Sequence, residues 1–379
     1  MSARTRQRAI FCSISAQPDN LGDIAIRQAL LNLFGRAGNP IVVFTGGMPA
    51  SYLDAFELPA DSRIVTSQSG FIRAFVAACL RRNAHLVFAP GPFAAKGGKN
   101  ALKSLVSLGN VALTRASGGQ VVSLGRAIRG SNKLDLAILR RSVRWMSLCV
   151  ARDVLTPEIL GMPVEVAPDL ALAEIAAPAP ETERTYVVIS LRGDRPINRP
   201  LISQVVSQAR AAGLTPVFVT QVRRDDENHG ILAEEFDAEF CSWTDESHSE
   251  QFARIERYYS KAHSVFSDRL HSVIFGLRHI AFPIAYRHDG ADKITPTLAH
   301  LLPLRVQDSK SAELAVDIAE PEAKRAELQT AVLRASRELD GVFTKVIGLL
   351  TEGRVADDHV SEQSRPIPSK STHNQQGES

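Results

Sequence analysis

Short apolar runs alternate along most of the chain with segments whose apolar positions recur at helical spacing. In the first half, runs at 9–15, 41–45, 63–67, 85–89, 120–124, 147–150 and 164–167 predict strands. The segments 24–36, 71–82, 101–116, 134–146 and 157–160 predict helices between them, and Ile26, Leu30, Leu33 and Phe34 mark the buried face of the first. A Pro/Ala/Glu stretch at 174–184 interrupts the pattern, and its Pro178 and Pro180 favour extended backbone. The alternation then restarts. Strands are expected at 186–191, 216–222, 238–243, 264–266 and 281–287, with helices at 201–212, 250–260, 272–277 and 294–302. A longer helical pattern spans about 320–350, where Pro321 is acceptable in the first turn. Beyond it the chain is polar, aperiodic and expected to be disordered.

Two alternating halves predict an α/β fold of two Rossmann-like domains facing across a cleft. The expected boundaries are an N-terminal domain at 1–175, a linker at 176–184 and a C-terminal domain at 185–312. C-terminal helices at 313–351 and a tail at 352–379 complete the chain. The last helix is placed to cross back to the first domain.

Composition narrows the class. A chain of 379 residues suits two domains, and 44% hydrophobic with 22% charged residues is ordinary for a globular protein. A net charge of +3 is too small to argue for nucleic acid. No apolar run approaches the roughly 18 residues that span a bilayer. The basic start (Arg4, Arg6, Arg8) before the apolar 9–14 imitates a secretory leader, but the apolar part is short and reads as the first strand. Cys12, Cys79, Cys149 and Cys241 form no C-x-x-C pair and are expected to be reduced and buried, as in a cytoplasmic protein.

The candidate chemistry gathers at Ser267-Asp268-Arg269-Leu270-His271-Ser272, where an apolar run ends and a helical segment begins. Continued strand periodicity would point Arg269 and His271 to one side and Leu270 to the core. A guanidinium beside an imidazole suits an anionic substrate, because Arg forks onto carboxylate or phosphate and His moves protons near neutral pH. Arg192 follows another predicted strand of the same half and should emerge on the same sheet edge. In the first half, Asn20-Leu21-Gly22-Asp23 joins a strand to a helix, an arrangement that offers backbone N–H groups to an anion. Asp23 is placed as N-cap or first-turn residue, and Gly22 could take a positive φ or admit a ligand.

Other motifs are read more plainly. Lys96-Gly97-Gly98-Lys99 fails the phosphate-loop pattern and reads as a loop on the substrate side. Asp225-Asp226-Glu227 reads as a solvated helix start rather than a metal site. Arg152-Asp153 and Pro168-Asp169 read as structural turns, and His229, His248, His263 and His279 as surface or partly buried histidines.

The segment 258–293 resembles the polysaccharide pyruvyl transferase family. The features that carry the resemblance are Tyr258-Tyr259, the S-D-R-L-H-S core, the strand Phe282-Pro283-Ile284-Ala285-Tyr286 and Lys293. The loop Asn20–Asp23 extends the likeness to roughly 9–302. Pro90-Gly91-Pro92-Phe93 departs from the glycine run often seen at that point of the family. The resemblance implies a GT-B-like arrangement, with the acceptor on the first domain and the donor on the second. It also implies transfer of a pyruvyl group from phosphoenolpyruvate to two sugar hydroxyls of a cell-surface glycan or lipid-linked precursor. Phosphoenolpyruvate is then a donor substrate, and no cofactor or metal is implied. Arg192 and Arg269 would clamp the donor, and His271 would transfer a proton or bind phosphate. Asn20, Gly22, Asp23, Asp268, Ser272 and Lys293 would bind substrates. Two other readings stand beside this one: a nucleotide-sugar-dependent glycosyltransferase of the same fold, for which the sequence shows no clear ribose carboxylate and Glu256 is only a weak candidate, and a non-catalytic glycan-binding member. The expected location is the cytoplasm, with a peripheral contact at the inner face of the membrane left open. The sequence is silent on oligomeric state.

Overall fold

The computed structural model describes residues 7–59, 61–173, 175, 183–243, 247–290, 292–320 and 322–352. Most of the expected linker and all of the tail after residue 352 lie outside these residues, as does Pro321.

The first half runs β1 (Ala9–Ser13), α1 (Leu21–Ala37), β2 (Ile41–Phe44), α2 (Ala50–Leu53), β3 (Ser62–Val65), α3 (Gln68–Leu80) and β4 (Ala84–Phe88). It continues through β5 (Gly91–Ala95), α4 (Lys99–Ala116), β6 (Val121–Gly130), α5 (Lys133–Trp145), β7 (Leu148–Ala151), α6 (Leu155–Leu160) and β8 (Glu165–Val166). The second half runs β9 (Tyr186–Ser190), α7 (Arg199–Ala211), β10 (Thr215–Val219), α8 (Asp226–Glu235), β11 (Glu239–Cys241), α9 (His248–Tyr259) and β12 (Ala262–Ser267). Then follow α10 (Leu270–Arg278), β13 (Phe282–Arg287), α11 (Thr295–Leu298), β14 (Arg305–Asp308) and α12 (Arg325–Thr351).

Each half builds one all-parallel sheet. The first has the order β3-β2-β1-β4-β6-β7-β8, with β5 paired to β6, and the second has β11-β10-β9-β12-β13-β14. Both therefore reverse their strand order once, between β1 and β4 and between β9 and β12. Such reversals open a crevice at the carboxyl ends of the strands, where α/β proteins bind ligands.

A continuous core joins the halves. It includes Leu30 and Phe34 of α1, Ile274 and Leu277 of α10, Phe343 and Val346 of α12, and the 3-10 turn Leu170–Leu172. α10 is buried from Leu270 to Leu277, as a helix apolar on all sides must be. Burial of Val273, Ile274, Phe275 and Leu277 contributes about 1.5–3 kcal/mol per side chain. α12 returns to the first half, where Asn39 Nδ2 donates to Leu350 O at 3.2 Å and Lys345 pairs with Glu165 at 2.7 Å.

Several local expectations give way. α1 starts at Leu21 with Asn20 as its N-cap, so Gly22 is helical rather than part of an open loop. The Pro90-Gly91-Pro92 segment runs directly into the short strand β5, and β14 was also unread. Cys149 is only partly buried, whereas the other three cysteines are buried.

Candidate active site

A cavity of about 380 Å³ lies where the two sheets' carboxyl ends meet. Its residues follow strands: Gln17 and Asn20 after β1, Pro90 after β4, Arg152 after β7 and Arg192 after β9. Gln221 and Arg224 follow β10, Asp268–His271 follow β12, and Lys293 follows β13. The loops after β1 and β10 hold each other across the crevice. Asn20 and Val222 form an antiparallel bridge, Gln221 Nε2 donates to Asn20 Oδ1 at 2.7 Å, and Arg224 forks onto Asp19 at 2.6 and 2.7 Å. The first-half loop is thus a contact between halves as well as a cavity wall.

β12 passes into α10 within three residues. Arg269 is the N-cap, with φ −97° and ψ 114°, and His271 already belongs to the first turn. Strand alternation therefore ends before it could place these side chains, and Leu270 lines the cavity with its neighbours while packing on the core. The His271 ring lies against Gly22, and its Nε2 is 3.7 Å from Asp169 Oδ2. Nε2 is buried and has no hydrogen-bond partner, so a polar ligand atom would satisfy it.

Asp169 stands behind His271 as a buried anion. It accepts from Arg152 Nη1 at 2.7 Å and from Ala171 N at 3.0 Å. Burial alone would raise its pKa, but Arg152 and His271 outweigh that and hold the carboxyl below the usual range. Arg152 and Asp169, read from sequence as turn residues, thus form the chain Arg152–Asp169–His271.

Arg269 is fixed by the buried carboxylate of Asp225, through Nε at 2.8 Å and Nη2 at 2.6 Å. Asp225 also accepts from Gly193 N at 2.9 Å. The expectation of a solvated acidic run fails here, because the 3-10 turn Arg223–Asp225 carries this side chain inward. Asp226 is engaged too, accepting from Ser242 Oγ and Trp243 N. Arg192 forks onto Asp194 at 2.8 and 2.6 Å, a pairing that raises its own pKa and lowers that of Asp194 to about 2. Asp268 accepts from Arg192 N at 2.8 Å and faces Arg195 and His288 at 3.4 Å each, so it holds the loop after β9.

Cations dominate the sequence of the cavity, yet most are already paired: Arg27 with Asp23, Arg152 with Asp169, Arg192 with Asp194, Arg224 with Asp19, Arg269 with Asp225. Lys293 has no such carboxylate among the described residues. Partial desolvation and the guanidiniums of Arg192, Arg152, Arg195 and Arg269 lower its pKa to about 8. An anion arriving here would relieve that repulsion. The paired arginines keep donors for it: Arg192 and Arg269 use Nε and Nη2 on their partners, and Nη1 remains.

Of the residues singled out from sequence, Arg192, Arg269, His271, Asp268, Lys293, Asn20 and Asp23 all line the cavity. Ser272 does not. It is fully buried and shares a 2.6 Å hydrogen bond with Tyr259 Oη, because the third residue of α10 faces α9. Gly22 lies beneath the His271 ring, and its N–H is engaged by Asn20 Oδ1 at 3.0 Å, so it supports the imidazole instead of meeting a ligand. Lys96–Lys99 stays outside the cavity lining, with Gly97 N donating to Asp135 at 2.6 Å.

A second cavity of about 430 Å³ separates α1 from α9. Small apolar side chains line much of it, and it contains none of the cations above; Arg278 and Glu256 border it, Glu256 being paired with His279. Anion chemistry belongs to the charged cavity. Among the described residues no helix is long and apolar enough to cross a membrane.

Solved structures share the architecture at low identity. A Listeria monocytogenes protein described as a UDP-N-acetylglucosamine 2-epimerase matches with a TM-score of 0.55 and 11% identity over 96% of this chain and 100% of its own. The Anabaena protein HepE, in complex with UDP and glucose, gives 0.53 and 12% over 91% and 100%. A Glycyrrhiza uralensis protein complexed with glycyrrhetinic acid 3-O-monoglucuronide gives 0.51 and 8% over 95% and 100%. These likenesses establish the GT-B type of fold and nothing about substrates. No curated protein sequence matches the chain. The family model described as polysaccharide pyruvyl transferase matches residues 20–279, a span that carries both the Asn20 loop and the S-D-R-L-H-S core, and the chain belongs to that family.

Proposed function

We propose that the charged cavity transfers a pyruvyl group from phosphoenolpyruvate to two hydroxyls of a glycan or its lipid-linked precursor, forming a cyclic ketal. The enol carbon takes a proton, and positive charge develops at C2, stabilised by the ether oxygen. One sugar hydroxyl attacks C2 and loses its proton, inorganic phosphate leaves, and the second hydroxyl closes the ring with loss of its proton. The chemistry needs a site for a carboxylate and a phosphate, and a group that moves protons.

The observation that carries the reading is the placement of His271. Its buried Nε2 has no hydrogen-bond partner and lies 3.7 Å from the Asp169 carboxylate, which Arg152 holds, and Lys293 and Arg269 share its cavity. In this reading His271 transfers the proton or ligates the phosphate, Lys293 and the free edges of Arg192 and Arg269 take the donor's charges, and the first half presents the sugar. No cofactor takes part.

The glycosyltransferase alternative asked Glu256 to hold a ribose. Glu256 instead pairs with His279 at 2.7 Å beside the other cavity. The test is release of inorganic phosphate from phosphoenolpyruvate across a panel of sugar acceptors. Acceptor-dependent release is the expected result. Tight binding of a uridine or guanosine diphosphate sugar, with no response to phosphoenolpyruvate, would select glycosyl transfer. Neither response would select the non-catalytic reading.

A further inference from the structure

Between Asp61 and Asp135 the chain has no carboxylate side chain but carries eleven lysines and arginines. The whole chain has a net charge of only +3, so this stretch is a strongly basic insert in an otherwise acidic molecule. It runs from β3 through α3, β4, β5, α4 and β6 to the start of α5; Arg126 and Arg129 lie on β6, where Arg129 pairs with Asp153, and most of the others lie on or beside the helices. Asp135 is buried, accepting from Gly97 N and Ser104 Oγ, and so is not part of the outer surface.

These helices cover one face of the first sheet. Phe75 and Cys79 of α3 and Val111 of α4 pack with Phe11, Leu86 and Val121, whereas α1 packs with Ile10, Cys12 and Val87 on the other side of the same strands. α4 lies between α3 and α5 and packs on both. The outer surface is apolar where a solvated surface would be polar. Ile72, Val76 and Leu80 form an exposed stripe at every fourth position of α3, with Leu80 77% exposed. Leu102, Leu105 and Val106 do the same on α4, and Leu134 is 62% exposed at the start of α5. Arg73, Arg81, Lys99, Lys103 and Lys133 are exposed among them.

We propose that this face is a docking surface for an anionic lipid bilayer. Exposed leucines interleaved with Lys and Arg, free of acids, are what an interfacial helix presents: the apolar side chains enter the acyl boundary while the cations meet lipid phosphates. Trp145, half-exposed on α5 with Arg141 stacked 4.4 Å from its ring centre, fits the same boundary. A second copy of the chain fits less well, because a two-fold interface would bring two basic faces together. Nucleic acid would use the cations but leave the leucines in water.

The placement relates the bilayer to the cavity. In a parallel α/β unit the amino ends of the helices sit beyond the carboxyl ends of the strands, so Lys99–Lys103 and Leu134 lie past the ends of β5 and β6, on the carboxyl side of the sheet and five paired residues beyond Pro90 at the cavity wall. An acceptor carried on a membrane lipid would then be presented beside the charged crevice. This last step rests on the proposed reaction, but the docking itself does not.

The test is flotation of the full-length protein with vesicles of phosphatidylcholine alone or mixed with phosphatidylglycerol. Recovery with the anionic vesicles is expected to exceed that with neutral ones by about tenfold and to fall at high salt. The double variant Leu102→Glu, Leu105→Glu is expected to lose about tenfold of this binding while its melting temperature and its turnover of soluble substrates stay unchanged. Failure to float with anionic vesicles, or equal flotation of the variant, overturns the proposal. A concentration-dependent dimer abolished by the same variant would overturn it by assigning the face to self-association. Displacement of the vesicles by nucleic acid would likewise overturn it.

Discussion

The His271 imidazole rests directly on Gly22: a Cβ built at Gly22 would lie 2.0 Å from His271 Nδ1. This contact joins the amino end of α1 in the first half to the amino end of α10 in the second, and it sets the position of the ring. Gly22→Ala should therefore displace His271 and cost roughly 1–3 kcal/mol in stability by overpacking, with a loss of turnover larger than the change in melting implies. Gly341→Ala is the control, since nothing lies within 4 Å of that Cβ, and it should stabilise α12 by about 0.5–1 kcal/mol. Urea melts and turnover of both variants check the contrast.

Asp225 and Arg269 form a buried two-point pair. Asp225→Asn leaves a guanidinium without its counter-ion and should cost on the order of 3–5 kcal/mol. Its amide oxygen can still accept from Gly193 N, but Arg269 loses the two-point pair that fixes it, so KM for the anionic donor should rise along with the loss of stability. Arg269→Lys keeps the charge but not the fork and should also destabilise the fold, by less than Asp225→Asn. Denaturant unfolding of the two variants measures both effects.

Lys293 should give the site a pH signature. Its folded pKa, about 8, lies below the ordinary value of 10.5. The unfolded chain therefore binds the proton more tightly between those values, so stability should rise with pH from about 8 to 10.5, and the destabilising contribution is fully present below 8. Lys293→Met should flatten that slope. Donor affinity should move the opposite way, weakening above pH 8 as the ammonium is lost, and Lys293→Arg should remove the break. Binding isotherms for phosphoenolpyruvate between pH 7 and about 9.5 test this.

Asp169 should govern the acid limb. Its folded pKa is held below the ordinary 3.8, so the ionised form stabilises the fold above that value, and the contribution fades as pH falls from 3.8 toward the folded pKa. Asp169→Asn should be less stable than the parent at pH 7, and the gap should narrow on acidification. A role in positioning His271 would also appear as a shifted pH–rate profile, which a purely structural residue would not cause. Melts and rate profiles of the variant separate the two.

How much of this was legible in the sequence depended on distance along the chain. The parallel halves follow from alternating periodicities, and the S-D-R-L-H-S run declares itself because its residues are contiguous. Partners set by tertiary placement were hidden: Arg269 finds Asp225 44 positions away, and Arg224 finds Asp19 205 positions away. Asp225 sat in a charged run that resembled a solvated helix start, and only the inward 3-10 turn distinguishes it. Extrapolating strand alternation across 269–271 failed because the helix begins at Leu270. The same turn sends Ser272 to Tyr259. β5 opens on Gly91-Pro92 and β14 has one apolar residue, Val306, among its four, so neither reads as an apolar run.

The central claim concerns His271, and the turnover of His271→Ala tests it most directly. With phosphoenolpyruvate and an accepted sugar, the parent should release phosphate and yield a product heavier by one pyruvate less one water. In the variant kcat should fall by roughly 10²–10⁴-fold, with donor binding retained if His271 transfers the proton and weakened if it ligates the phosphate. Undiminished kcat in a folded variant would contradict the account.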